Sequence, residues 1–301
     1  MTTLVADAGG TYVRFALAQD GQDLREPQKL KVADFPRFND AVLHYLFTQR
    51  VEADDITAFY CAYSTRNGWN FADGAADLPV VLERATFHII NDFEANAYGL
   101  LDASDDDVIR FSRQEKQEDH APRAGKSRAS RAVIGVGTGL GLAYIMDTPH
   151  GPHVQPTHGG HMLPAILTEH HLELFGAMQS FKTTPSIPIY EDILSGSGIF
   201  HVYEVLAKGA HVDREYADTY DLIARGRHDP IVQQTLKIFH EILGAFAHQV
   251  VAFGYSYAGL YLTGGVIDRL MMNNVFDVDT FYQCLLQENI AVVKKDVENM
   301  P

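Results

Sequence analysis

VADAGGTYVRFAL, Val5 to Leu17, is the stretch on which the reading of this chain turns. An apolar run stops at an aspartate, turns through two glycines and a threonine, and resumes as an apolar run. A β-strand has no reason of its own to end in a charge beside a glycine pair. The pattern is either an ordinary tight hairpin or a place where the backbone has been cleared of Cβ atoms so that something can approach.

The same design returns twice. GVGTGLG, Gly135 to Gly141, follows a strand-like AVI and runs into the strand-like LAYIM, and TGGV, Thr263 to Val266, follows AGLYL and leads into a helix-like VIDRLMMNNV. Each turn offers main-chain N–H groups with a threonine hydroxyl alongside, which is how a chain cradles phosphate oxygens. The first two return into strands and are hairpin tips; the third opens a helix, whose N-terminus favours anions. The candidate cradle residues are Asp7, Gly9, Gly10 and Thr11, then Gly137, Thr138 and Gly139, then Gly264 and Gly265. Three such turns in one chain point to a nucleotide. Asp7 would orient Mg²⁺, through water because that ion dehydrates reluctantly, although a turn-initiating aspartate fits the same position.

Two look-alikes are set aside. GVGTGLG has the glycine density of a dinucleotide fingerprint, but LAYIM after it is a strand where that fold needs a helix. GKS at Gly125 to Ser127 imitates the end of a Walker A loop, yet position 120 is His120 rather than glycine and the preceding text is polar.

Composition narrows the partners. With 301 residues, 46% of them hydrophobic, the chain has material for two compact lobes. Acidic side chains outnumber basic ones 39 to 24, and a net charge of -15 repels phosphate backbones and anionic membranes, so neither nucleic acid nor membrane is an expected partner. Cys61 and Cys284 lie far apart with no paired spacing, which suits a reduced cytoplasm. There is no signal-like leader and no run of eighteen apolar residues, so a soluble, cytoplasmic protein is expected.

Residues 1–105 read as a smaller α/β lobe. Residues 106–131 are almost free of apolar side chains and read as a polar linker. Residues 132–301 read as a larger α/β lobe that repeats the opening grammar of strand, glycine turn, strand, a hint of internal duplication. Helical periodicity dominates after Glu191, with a long stretch from Ile231 to Phe253.

Polar side chains cluster at two further places. In FHIINDFEANAYGLL an apolar strand runs into Asn91 and Asp92 and then a helix. Asn91 with Glu94 spells a capping box, and Asp92 suits the positive end of the helix. A carboxylate at the carboxyl end of a strand is also where a general base for a hydroxyl would sit, and the two readings are compatible. In THGGHMLP (Thr157 to Pro164) and IYEDILSGSG (Ile189 to Gly198), glycines beside His161 would let the chain approach a ligand, and Glu191 could reach the same place. Sugars need such side chains, because each hydroxyl both donates and accepts. The histidines crowded between His150 and His171 invite a metal reading, but no carboxylate or cysteine falls at a metalloenzyme spacing.

Taken together, VADAGGTYVRFAL, IINDFEANAYGL, AVIGVGTGLGLAY, GGH at 159 to 161, YEDILSGSG and LYLTGGVIDRL resemble, in order, the bacterial glucokinase family, within the superfamily that also holds actin and the heat-shock chaperone ATPases. The resemblance implies a two-lobed actin-like ATPase fold with ribonuclease H-like lobes and an interlobe cleft, ATP with Mg²⁺, and transfer of the γ-phosphoryl group to the 6-hydroxyl of a hexose. It makes Asp92 the catalytic base, Asn91, His161 and Glu191 sugar ligands, Asp7 the acidic residue of the first phosphate turn, and Gly264 and Gly265 part of the adenosine segment. A homodimer is the family's default, and the zinc motif of the related repressor and open-reading-frame kinases is absent.

Four positions depart from the family pattern. His158 stands where a sugar-binding Glu is usual, so a group that only accepts has become one that can donate. Tyr12 replaces an Asn beside the first turn. The Thr-Asn-x-x-Trp sugar segment has no clean counterpart, although Asn67 and Trp69 are near, and the Gly-rich closing helix is missing before DVENMP. These changes fall mostly on the sugar side. They keep a second class open, a non-catalytic sugar- or nucleotide-binding regulator, and the turns themselves suit ATP, ADP or polyphosphate donors.

Overall fold

The computed structural model describes residues 2–19, 24–63, 82, 84–109, 129–179 and 187–286. Asn67, Trp69, the GKS look-alike and most of the polar linker lie outside the described residues, as does the segment after 286. The chain divides into two compact units, Met1–Gly99 and Leu100–Pro301.

The first unit is built on a five-stranded sheet. Its strands are β1 (Thr2–Ala8), β2 (Tyr12–Gln19), β3 (Arg25–Lys31), β4 (Ile56–Tyr63) and β5 (Thr86–Asn91), in the order β3-β2-β1-β4-β5. The first three form an antiparallel meander, while β1–β4 and β4–β5 are parallel. Alternation in β1 sends Leu4, Ala6 and Ala8 into the core. Helix α1 (Phe38–Gln49) buries Phe38, Ala41, Val42, Tyr45 and Leu46, the i, i+3, i+4, i+7, i+8 stripe that a helix needs to lie on a sheet. Phe15 packs against Phe38 and Tyr45, with ring centroids 5.8 and 5.2 Å away. Truncating a fully buried ring such as Phe38 to Ala would cost about 3–5 kcal/mol. Helix α2 (Asp92–Leu101) leaves β5 with no intervening loop.

The second unit repeats that plan. Strands β6 (Arg131–Val136), β7 (Leu140–Thr148), β8 (Gly151–Thr157) and β9 (Gly259–Thr263) form a sheet in the order β8-β7-β6-β9, with β9 parallel to β6 and the other pairings antiparallel. This is the β3-β2-β1-β4 arrangement over again, so the repeat hinted at by the glycine turns extends to strand order and direction.

Helices α3 (Glu169–Gln179), α4 (Gly196–Gly209), α5 (Thr219–Arg225), α6 (Pro230–Gly254), α7 (Gly265–Met272) and α8 (Val278–Leu285) belong to this second unit. Helix α6 is its axis. At 25 residues it runs about 37 Å. Its start follows the sequence rules: Asp229 accepts from Ile231 N and Val232 N, and Pro230 occupies the first turn, where its missing N–H costs nothing. Its interior, from Val232 to Val251, is buried on most sides, and α8 packs along it.

Strands β3 and β8 carry no apolar alternation and escape a sequence reading. REPQKLK and GPHVQPT are largely exposed sheet edges, where polar side chains and proline are tolerated because one row of backbone groups needs no strand partner.

Candidate active site

In the first unit the predicted residues gather at one end of the sheet. The β1–β2 hairpin closes through Gly9 N–H to Tyr12 O at 3.0 Å, and Gly10 and Thr11 at its tip are exposed. Parallel pairing aligns Ala8 with Tyr63 and Tyr63 with Asn91, so the first turn and the end of β5 sit one strand apart, about 10 Å from strand to strand. Asn91 caps α2: its Oδ1 accepts from Phe93 N at 2.9 Å and from Glu94 N at 3.4 Å, which is the asparagine half of the expected capping box. Asp92 follows at the helix N-terminus, its Oδ1 accepting from Phe93 N at 3.0 Å. There the positive end of the helix dipole attracts negative charge.

Asp7 has a partner that the motif reading did not name. Arg14 lies directly opposite it in the β1–β2 register, and its Nη1 donates to Asp7 Oδ2 at 2.6 Å, with both side chains about half exposed. Hairpin register was the signal that could have found it, since Asp7 and Arg14 are equidistant from the turn. One side-chain oxygen of Asp7 is thus committed to Arg14, and Oδ1 is the acceptor that a metal-bound water would use. Among the described residues no group of three or more His, Cys, Asp or Glu side chains could hold a metal. A single half-exposed carboxylate fits an ion that arrives with phosphates and keeps its water, and the crowded histidines do not form a metal centre. Tyr12 carries the Lys29 ammonium over its ring at 4.0 Å.

In the second unit the other two turns meet. Gly264 adopts φ +104, and a Cβ there would lie 2.3 Å from Val136 O, so only glycine lets the start of α7 close onto the end of β6. Gly196, at the start of α4, donates its N–H to Gly137 O at 2.8 Å. The tip residue Gly137 differs from Gly264: it is not among the positive-φ glycines, and nothing lies within 4 Å of where its Cβ would be. The fold does not need a glycine at 137.

The residues of this unit that were expected to bind sugar lie around the same hairpin. Glu191 sits in a 3-10 turn, Tyr190–Asp192, and its Oε2 accepts from Leu140 N at 3.0 Å, just past the second tip. A Cβ on Gly139 would stand 2.5 Å from that oxygen, which explains the glycine. His158 precedes another 3-10 turn, Gly159–His161, and His161 ends it, with their exposed rings stacked at 5.7 Å and 11°. Tyr190 N donates to Met162 O at 2.9 Å and ties the two 3-10 turns together.

Gly159 and Gly160 were expected to admit a ligand, but both are buried against β7, with Cβ positions 2.5 Å from Leu142 Cδ2 and 2.2 Å from Leu140 O. What they admit is the strand, and His161 is displayed as a result. A cavity of about 210 Å³ lined by Leu236, Lys237, His240 and Asp277 shares no residue with either cluster.

Two α/β units, each opening on a glycine-tipped hairpin beside a parallel strand, define an actin-like phosphotransferase fold. Glucokinase from an Antarctic psychrotroph matches it with a TM-score of 0.73 at 24% identity, over 99% of this chain and 92% of that one. Glucokinase from Balamuthia mandrillaris, solved in complex with glucose, matches with a TM-score of 0.72 at 19% identity, over 99% and 91%. In sequence, the glucokinase of Hahella chejuensis (strain KCTC 2396) is 31% identical over 293 residues, 93% of this chain and 86% of that protein. The Glucokinase family model matches residues 4–301, and the chain belongs to that family, as a sugar kinase.

Proposed function

We propose that this chain transfers the γ-phosphoryl group of ATP to the 6-hydroxyl of glucose or a related hexose, with Asp92 accepting the hydroxyl proton as attack proceeds. What carries this reading is the bond from Leu140 N–H to Glu191 at 3.0 Å. It couples a carboxylate suited to sugar hydroxyls to the hairpin whose tip, Gly137 to Gly139, is suited to phosphates. A kinase needs its two substrates referred to one rigid element, because phosphoryl transfer asks the protein chiefly for alignment and charge stabilisation.

The roles follow from the chemistry of each group. Asn91, His158, His161 and Glu191 bind and orient the hexose, offering both donors and acceptors to its hydroxyls. The three glycine turns cradle the nucleotide: Gly10, Thr11, Thr138, Gly139, Gly264 and Gly265 through main-chain N–H groups, and Gly9 and Gly137, whose N–H groups are donated to Tyr12 O and Gly139 O, by leaving the backbone bare of side chains. Magnesium bound with that nucleotide would neutralise phosphate charge, and Asp7 would hold it through water. Arg14, paired with Asp7, fixes where that carboxylate points. The glucose bound by the Balamuthia protein makes glucose the first sugar to try. A homodimer in the cytoplasm follows from the family resemblance, and size-exclusion chromatography with light scattering tests the oligomer.

The activity is tested by coupled ADP release over a panel of hexoses and amino sugars. Sugar-stimulated ADP production with at least one hexose is the expected result. Well-folded protein that releases no ADP with any sugar would point instead to a binding regulator of the same fold.

A further inference from the structure

Tyr220 is assigned no part in the function described so far, and its surroundings give it one. It lies in the first turn of α5, is 46% exposed, and carries the Arg269 guanidinium 5.1 Å from its ring centroid. Arg269 is one helical turn into α7, and the Tyr220 hydroxyl lies 3.5 Å from where a Cβ on Gly265 would be. The ring therefore lies beside the start of α7. Its neighbour Thr219 donates through Oγ1 to Gly196 O, and Gly196 in turn donates to Gly137 O at 2.8 Å. Two hydrogen bonds thus connect the base of the tyrosine to the tip of the second glycine turn, all within the second unit.

We infer that Tyr220 is the stacking platform for the base of the bound nucleotide, and so a determinant of donor selectivity. This rests on the kinase reading above. A phosphate cradle recognises only the charged end of a nucleotide; telling a nucleoside triphosphate from a bare polyphosphate needs a flat apolar surface beside the cradle. Tyr220 supplies one. A cation over one ring face is a favourable arrangement in its own right, and the 46% of the residue that remains exposed gives a planar heteroaromatic group a surface to stack on. Stacking of a base on an aromatic side chain is tolerant of base identity, so the platform favours nucleotides as a class over inorganic donors. An ordinary surface tyrosine, in contrast, would be indifferent to what the glycine turns hold.

The test is calorimetric titration of wild type, Tyr220→Ala and Tyr220→Phe with magnesium-loaded ATP and with magnesium tripolyphosphate, alongside melting curves. Tyr220→Ala is expected to weaken ATP by about tenfold or more while tripolyphosphate affinity and the KM for hexose change less than about twofold. Tyr220→Phe, which keeps the ring, should bind ATP within about threefold of wild type. The inference is overturned if Tyr220→Ala binds ATP like wild type, if Tyr220→Phe loses as much as Tyr220→Ala, or if tripolyphosphate affinity falls in parallel. Wild-type protein that binds no magnesium-loaded ATP would overturn the kinase reading itself, and the stacking role with it.

Discussion

Glu191 holds the backbone N–H of Leu140 at 3.0 Å, so a residue predicted to touch sugar also fixes the hairpin predicted to touch phosphate. The bond is charge-assisted and partly buried, and the absence of a side chain at Gly139 makes room for it.

Glu191→Gln should separate the two roles. The amide oxygen can still accept from Leu140 N–H, so the melting temperature is expected to stay close to wild type while the KM for hexose rises roughly tenfold, the loss of one charged hydrogen bond. Glu191→Ala removes both contacts and should also destabilise the fold by about 1–2 kcal/mol and raise the KM for ATP. If Glu191→Ala changes hexose binding alone, the hairpin does not depend on this carboxylate.

Gly137 is the opposite case, a glycine in open space with no positive φ. Gly137→Ala should leave the melting temperature unchanged or slightly higher, since alanine restricts the unfolded chain. ATP affinity, in contrast, should fall by about tenfold or more as a methyl group enters the phosphate cradle. Unchanged nucleotide affinity would move the phosphates away from this tip.

His158 and His161 present two parallel rings where the family pattern has a carboxylate beside a histidine. His158→Glu is expected to tighten glucose by roughly threefold to tenfold, because an acceptor-only group suits a sugar hydroxyl that is free to donate. Equal glucose affinity in the variant would place residue 158 outside the sugar site.

Features set by local chemistry are legible in the chain itself. The apolar runs on either side of Gly9, Gly10 and Thr11 read as two strands joined by a turn, and the hairpin is there. Features whose position is set from afar are not legible there. REPQKLK and GPHVQPT are strands because the sheet offers them an edge, not because their side chains alternate. Tyr220 reaches the third turn through packing of α5 on α7, which no spacing within the chain encodes; the Arg14–Asp7 pair, in contrast, was within reach of hairpin register. Gly159 and Gly160 were legible as close-approach glycines, but only tertiary structure says that β7 is what they approach.

His240 predicts how stability responds to acid. Burial pushes its imidazole down to about 4 from an ordinary 6.5, while Nδ1 lies 2.6 Å from Leu236 O and Nε2 accepts from Asp277 N at 3.1 Å. The folded protein therefore binds fewer protons here than the unfolded chain between about pH 4 and 6.5. Stability from this group is complete above pH 6.5 and is lost as pH falls through that window. The loss by pH 4.5 is on the order of 2–3 kcal/mol. Thermal melts from pH 7 to 4.5 should show the decline, and His240→Gln should flatten it; a flat wild-type profile would mean that the ring is solvated.

The role of Asp92 as base is tested most directly by the rate of hexose-dependent ADP release in Asp92→Ala against wild type, at saturating MgATP and sugar. Removing a positioned base should lower turnover by roughly 10²-fold or more, with ATP affinity retained because Asp92 stands apart from the phosphate turns in its assigned role. Turnover within a few-fold of wild type would contradict the account, since no other carboxylate has been given the proton of the attacking hydroxyl.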